Sequence, residues 1–158
     1  MSVKEYFEAL ATEHQLVRHS DTEPHFACSM DDAATLMARR LYYPAIFLEG
    51  GDFYVTGTPG GELLPETYVM AVVQHVKDSG NEEEKTEAFK LTKTIARDIL
   101  GRMVRDKKRV IEPMQRFNAI GTEAHRVELA DAGLYGWIIQ FDITEKMSSL
   151  NCNENLDS

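Results

Sequence analysis

The sequence predicts an α+β domain, with a mostly antiparallel sheet, one long helix packed across one face and two shorter helices near the N-terminus. Three observations lead to that class. Residues 79–109 carry a helical apolar stripe with charge marking both ends. Residues 68–76 read as a strand that is apolar on both faces, the signature of a central strand covered on both sides. Helices and strands do not alternate one for one, which disfavours a doubly wound parallel sheet.

The elements follow in order. Ser2 stands as a cap before Val3, Tyr6, Phe7 and Leu10, whose spacing makes residues 2–13 an amphipathic helix. Residues 18–25, with charges, histidines and Pro24, read as a loop, and residues 26–30 as a short strand. Ser29 with Asp32 restarts a helix carried by Ala33, Leu36, Met37 and Leu41. It ends before Pro44, because the residue ahead of a proline avoids helical geometry. Residues 45–49 form an apolar strand. Gly50-Gly51-Asp52 is a turn signal that returns residues 53–56 as a hairpin partner. Residues 57–61, with Pro59 inside, read as a loop, and residues 63–76 hold the strongest strand.

The long helix is written in detail. Ser79 and Glu82 form a capping box, each side chain satisfying the other's orphan amide. Glu82, Glu83 and Glu84 match the positive end of the helix dipole, and Lys107, Lys108 and Arg109 match the negative end. Ala88, Leu91, Ile95, Ile99 and Met103 form the apolar face, and Pro113 marks the far limit. Residues 122–129 then make a strand and Asp131-Ala132-Gly133 a turn. Residues 134–143 make a half-buried strand with Tyr135, Trp137, Ile139, Phe141 and Ile143 on one face. Residues 1–145 read as a single domain and 146–158 as a flexible polar tail.

At 158 residues the chain can bury a core without staples. Its net charge of −9 argues against nucleic acid or an anionic membrane as the main partner. Cys28 and Cys152 are too few and too distant for a disulfide framework, which fits a reducing compartment. No apolar run approaches the roughly 18 residues needed to span a bilayer, and no secretory signal opens the chain. A cytoplasmic protein, or one assembled into a virion, is expected.

The side chains that carry chemistry point to no site. A phosphate cradle needs consecutive amides, but Pro59 removes one from Gly57-Thr58-Pro59-Gly60-Gly61, Glu62 adds negative charge and no Gly-Lys-Ser/Thr follows. His14, His19, His25 and Cys28 offer zinc-binding atoms at spacings that match no zinc knuckle. Cys28 has His25 three residues away, an offset that does not establish reach, so Cys28 reads as a strand residue facing the core, and no Gly-x-Ser-x-Gly elbow is present. Asp31-Asp32 and Glu82 to Glu84 are explained by helix starts. Arg102, Arg105, Lys107, Lys108 and Arg109 form a basic cluster without interleaved aromatics, which fits an acidic surface on a neighbouring copy better than nucleic acid. Tyr135 and Trp137 read as core. No catalytic, cofactor-binding or metal-binding residue is assigned, and no cofactor is expected.

The order of elements resembles one family. An opening helix precedes Tyr43-Pro44-Ala45-Ile46-Phe47-Leu48. The strand Tyr68-Val69-Met70-Ala71-Val72-Val73 runs into a helix carrying Glu84-Lys85-Thr86-Glu87-Ala88 through Ile99-Leu100, and the strand Gly136-Trp137-Ile138-Ile139-Gln140-Phe141 follows. This resembles the tail-terminator and tail-completion proteins of long-tailed bacteriophages and prophages. The resemblance implies a non-enzymatic subunit of a homo-oligomeric ring, often a hexamer, that caps the tail tube and docks to the head connector. The family has no invariant catalytic motif to carry over. The alternative is a small enzyme or ligand-binding domain with a pocket between sheet and helix, using scattered groups such as His25, His75 and His125.

Overall fold

The computed structural model describes residues 1–28 and 41–146. The chain passes through α1 (Val3–Glu13), β1 (Phe26–Cys28), β2 (Ala45–Phe53), β3 (Thr56–Thr58), β4 (Gly61–His75), α2 (Glu82–Lys108), β5 (Phe117–Leu129) and β6 (Leu134–Lys146). Six strands form the sheet, five of them in the order β1-β2-β4-β6-β5, with β3 paired to the outer end of β4. The fold is α+β, as expected. Among the described residues the α-helices are α1 and α2. The further helix expected on Ala33, Leu36 and Met37 lies outside them, and Leu41 is buried without helical geometry. β6 includes Lys146, the residue at which the tail was expected to start, and 147–158 lie outside the described residues.

The sheet is mixed rather than mostly antiparallel. β1 pairs parallel to β2, with Phe26 opposite Ile46 and Cys28 opposite Leu48. Parallel neighbours need a crossover of about a dozen residues or more, and residues 29–44 supply that length.

β4 and β6 pair without slip from Leu63 opposite Lys146 to His75 opposite Leu134. Opposed residues share a face, so apolar rows line up across strands. Leu48, Met70 and Ile139 form one row, and Ile46, Val72 and Trp137 the next. α1 and α2 cover this face, placing Tyr6, Phe7, Leu10, Ile95, Ile99 and Met103 in the same core as those rows. The other face carries a smaller cluster of Ala27, Leu41, Ala45, Phe47, Val73 and Leu134.

Two turn assignments change. Gly50-Gly51-Asp52 does not reverse the chain. It sits inside β2 as a bulge, where the register shifts between Gly50 and Asp52. A side chain at Gly50 would run into the Tyr68 ring, which stacks on Phe141 at 5.6 Å. The reversal occurs instead at Pro59-Gly60, between paired Thr58 and Gly61. Pro59 presets the first central torsion, and Gly60 takes the left-handed φ of 82° that the second demands. The Glu62 carboxylate accepts the Gly60 N–H at 3.0 Å, which holds its pKa below the usual carboxylate range. The glycine stretch is therefore a hairpin tip.

The start of α2 also moves. The N-cap is Asn81, whose side chain accepts the Glu84 N–H at 3.1 Å, so Ser79 and Glu82 form no capping box. Asp78 takes the Gly80 N–H and the chain turns once more before the helix begins. The charged ends are as expected, with Glu82, Glu83 and Glu84 in the first turn and Arg105, Lys107 and Lys108 in the last. The capping box forms at α1 instead, between Ser2 and Glu5. Thermal or denaturant unfolding separates the two assignments for α2. Asn81→Ala is expected to cost about 1 kcal/mol, and Ser79→Ala only a few tenths. The reverse order would contradict the cap.

Candidate functional site

The residues that drew attention in the sequence are spread over the described structure and engaged locally. His14 ends α1, where its Nε2 lies 3.1 Å from Asp98 and its Nδ1 accepts the Leu16 N–H. His19 accepts the His25 N–H on Nδ1 and faces Glu8 at 3.6 Å with Nε2. The His25 Nδ1 lies 2.7 Å from the Pro44 carbonyl oxygen, so that nitrogen carries the proton. Cys28 packs half-buried against the core. Among the described residues no group of three or more His, Cys, Asp or Glu side chains is placed to hold a metal.

His25, His75 and His125 do not assemble either. His25 and His75 lie at the same end of the sheet, against Tyr42 and Tyr43 respectively. His125 is on the edge strand β5, 3.0 Å from Glu123. A hollow of about 340 Å³ between the end of β4 and the first turns of α2 does include His75, Glu84 and Glu87. The Glu84 carboxylate there is taken by the Lys77 N–H at 3.0 Å. Trp137 and Tyr135 lie beneath α2. The Trp137 Nε1–H donates to the Phe89 carbonyl at 3.1 Å, and Tyr135 meets the Phe89 ring edge-on at 5.9 Å.

The basic cluster divides into two parts. Arg102 points inward and joins α1 to α2. Its Nε donates to Asp106 Oδ2 at 2.9 Å, the Tyr6 hydroxyl donates to the same oxygen at 2.8 Å, and Glu13 lies 3.4 Å away. Asp106 is only 1% exposed, so these donors hold a carboxylate that water barely reaches. Burial pushes the Tyr6 hydroxyl pKa well up, and donation to Asp106 raises it further. Tyr68 is raised in the same direction, by burial first and then by Glu66. Arg105, Lys107, Lys108 and Arg109 are exposed.

Two surfaces stand out. The first is an arm made by the end of β2, β3 and the start of β4, with the end of β6 paired along Leu63 to Pro65 and Lys146 opposite Leu63. β5 begins at Phe117 opposite Ile143, and Ile143 lies opposite Glu66, so the return from α2 meets the sheet at the row of Glu66. Residues 54–65 extend past that row. At the break between β2 and β3, Phe53, Tyr54 and Val55 are 67%, 55% and 59% exposed. Residues 41–76 contain no lysine or arginine; Glu62 lies on the arm, Asp52 and Glu66 at its base, and Glu49 further back on β2.

The second surface is the outer face of α2, where Lys90, Lys93, Arg97, Arg105 and Lys108 recur at helical spacing and are exposed. Residues 85–109 hold nine of the 17 lysines and arginines and three of the 26 acids, so this segment carries +6 and the rest of the chain −15. No protein-family model and no curated protein matches the sequence. Sequence reading missed the arm because residues 53–56 read as an ordinary strand. The missing cations between 41 and 76 were the available signal.

Hydrogen bonds to a charged group contribute about 1.5–3 kcal/mol, so Tyr6→Phe is expected to cost about 2 kcal/mol in denaturant unfolding. A loss below about 0.5 kcal/mol would show that Asp106 does not need this donor. The pH dependence has a definite sign. Unfolded tyrosine ionises near pH 10, whereas folded Tyr6 keeps its proton, so stability falls as pH rises past about 10. Tyr6→Phe is expected to reduce that alkaline loss.

Proposed function

We propose that this chain is a non-enzymatic structural subunit that assembles into a ring, of the kind that caps a phage tail tube and docks to the head connector. The observation that carries the reading is the arm, with Phe53, Tyr54 and Val55 exposed in one unbroken run. A soluble subunit that keeps such a run on a projecting hairpin gains by covering it. The side chains with chemical potential support the same reading, since His14, His19, His25 and Asp106 are engaged in contacts that hold the fold together. The order of elements quoted for the resemblance, from α1 through β6, is the order present here.

Magnitudes favour a closed assembly over an isolated pair. Burying the exposed part of these three side chains is worth about 3–5 kcal/mol in total. Association costs roughly 4–15 kcal/mol in lost freedom. One arm contact therefore makes a weak pair. In a ring every subunit uses two different faces, and the last contact closes without a further loss of freedom.

Sedimentation over a concentration series, followed by electron microscopy of the heaviest species, tests the reading. Closed rings of one defined number are expected to appear as concentration rises. A monomer at every concentration, unchanged by added tube protein, would sink it. Phe53→Ser with Tyr54→Ser is expected to shift the series toward monomer while leaving the melting temperature nearly unchanged.

A further inference from the structure

We propose that the outer face of α2, centred on Lys90, Lys93 and Arg97, is the docking surface for the β2–β3–β4 arm of a second copy. This rests on the assembly reading above and names the two faces that meet. Charge complementarity is the main argument. The arm carries Glu62, with Glu66 and Asp52 at its base and Glu49 further back on β2, in a stretch without a single cation, while residues 85–109 hold nine of the chain's 17 cations. The aromatics of the arm fit the same partner, because lysine and arginine stack favourably on Phe and Tyr rings. Such contacts already occur within the chain, with Lys93 of α2 over Trp137 at 5.4 Å and Arg126 of β5 over the Phe89 ring of α2 at 3.7 Å.

Geometry makes the contact heterologous. The arm projects from one end of the sheet, and the outer face of α2 points away from the sheet. Lys90 to Arg97 lie around the middle of the helix, whereas the arm projects beyond the row where its C-terminal end returns to the sheet. The arm of one copy thus reaches the mid-helix of the next, and repetition generates a head-to-tail series that closes where the rotation permits. Nucleic acid is the competing partner for a cationic helix. The −15 on the rest of the chain repels phosphates and attracts α2 of a second copy.

The test compares four full-length chains by sedimentation equilibrium at low salt, with dichroism melts to verify that each is folded. They are the native chain, Lys90→Glu with Arg97→Glu, Glu49→Lys with Asp52→Lys, and the chain carrying all four changes. Each single-surface reversal is expected to weaken self-association at least about tenfold, and the four-change chain to recover most of it. Raising salt from about 0.1 to about 1 M, which cuts the screening length from about 10 to about 3 Å, is expected to weaken the native assembly. If the native chain assembles and neither reversal weakens it, the docking surface is wrong and the assembly reading stands. Weakening by both reversals without recovery in the four-change chain also overturns the pairing. A helix reversal that abolishes binding to duplex DNA but not self-association assigns α2 to nucleic acid instead. A native chain that stays monomeric both alone and with added tube protein overturns both proposals.

Discussion

The antiparallel pairing of β4 with β6 is the constraint on which the rest of the structure depends. It runs from Leu63 opposite Lys146 to His75 opposite Leu134 without a shift. Strand side chains alternate with a period of two, so a slip of one residue would turn Met70, Val72, Ile139 and Phe141 away from the helices. Both helices rest on the rows this register creates. The arm depends on it as well, because β4 outruns the helical layer and carries β3 and the end of β2 with it.

Polar contacts then fix how the helices sit. Tyr6 meets Asp106, Glu13 meets Arg102 and His14 meets Asp98, so α1 runs antiparallel to the second half of α2. Asp106 and Tyr6 are the buried members of this set. A buried carboxylate contributes little net stability when satisfied and costs several kcal/mol when stripped of its donors. The pin holds Asp106 through Oδ2 alone, its buried Oδ1 having no hydrogen-bond partner among the described residues. It also turns Arg102 inward, leaving Lys90 and Arg97 as the outward cations near the middle of α2, with Lys93 reaching over Trp137.

Much of the fold is legible in the sequence because strong local signals coincide with tertiary need. The α1 stripe, both charged ends of α2 and the bulky face of β6 lie where the residue pattern puts them. The errors occur where local signals compete. Ser79 with Glu82 and Asn81 with Glu84 both satisfy a capping pattern, and only the path out of β4 selects Asn81. Gly50-Gly51-Asp52 and Pro59-Gly60 both signal a turn, and the pairing with β4 selects the second. The parallel β1–β2 pair carries no local signal, because pairing direction is a property of the connection and not of the strand. The arm is visible in composition only, through a run without cations, while its exposure depends on how far β4 outruns the helices.

A rigid ladder that carries an arm left open until a second copy covers it makes a specific statement about local stability. Amide hydrogen exchange followed at several protein concentrations tests that statement most directly. The account predicts that the β4–β6 ladder exchanges slowest at every concentration. Residues 53–58 and the outer turns of α2 around Lys90 to Arg97 should gain protection together as concentration rises. Arm exchange that is indifferent to concentration, or a ladder that exchanges as fast as the edge strand β5, would contradict it.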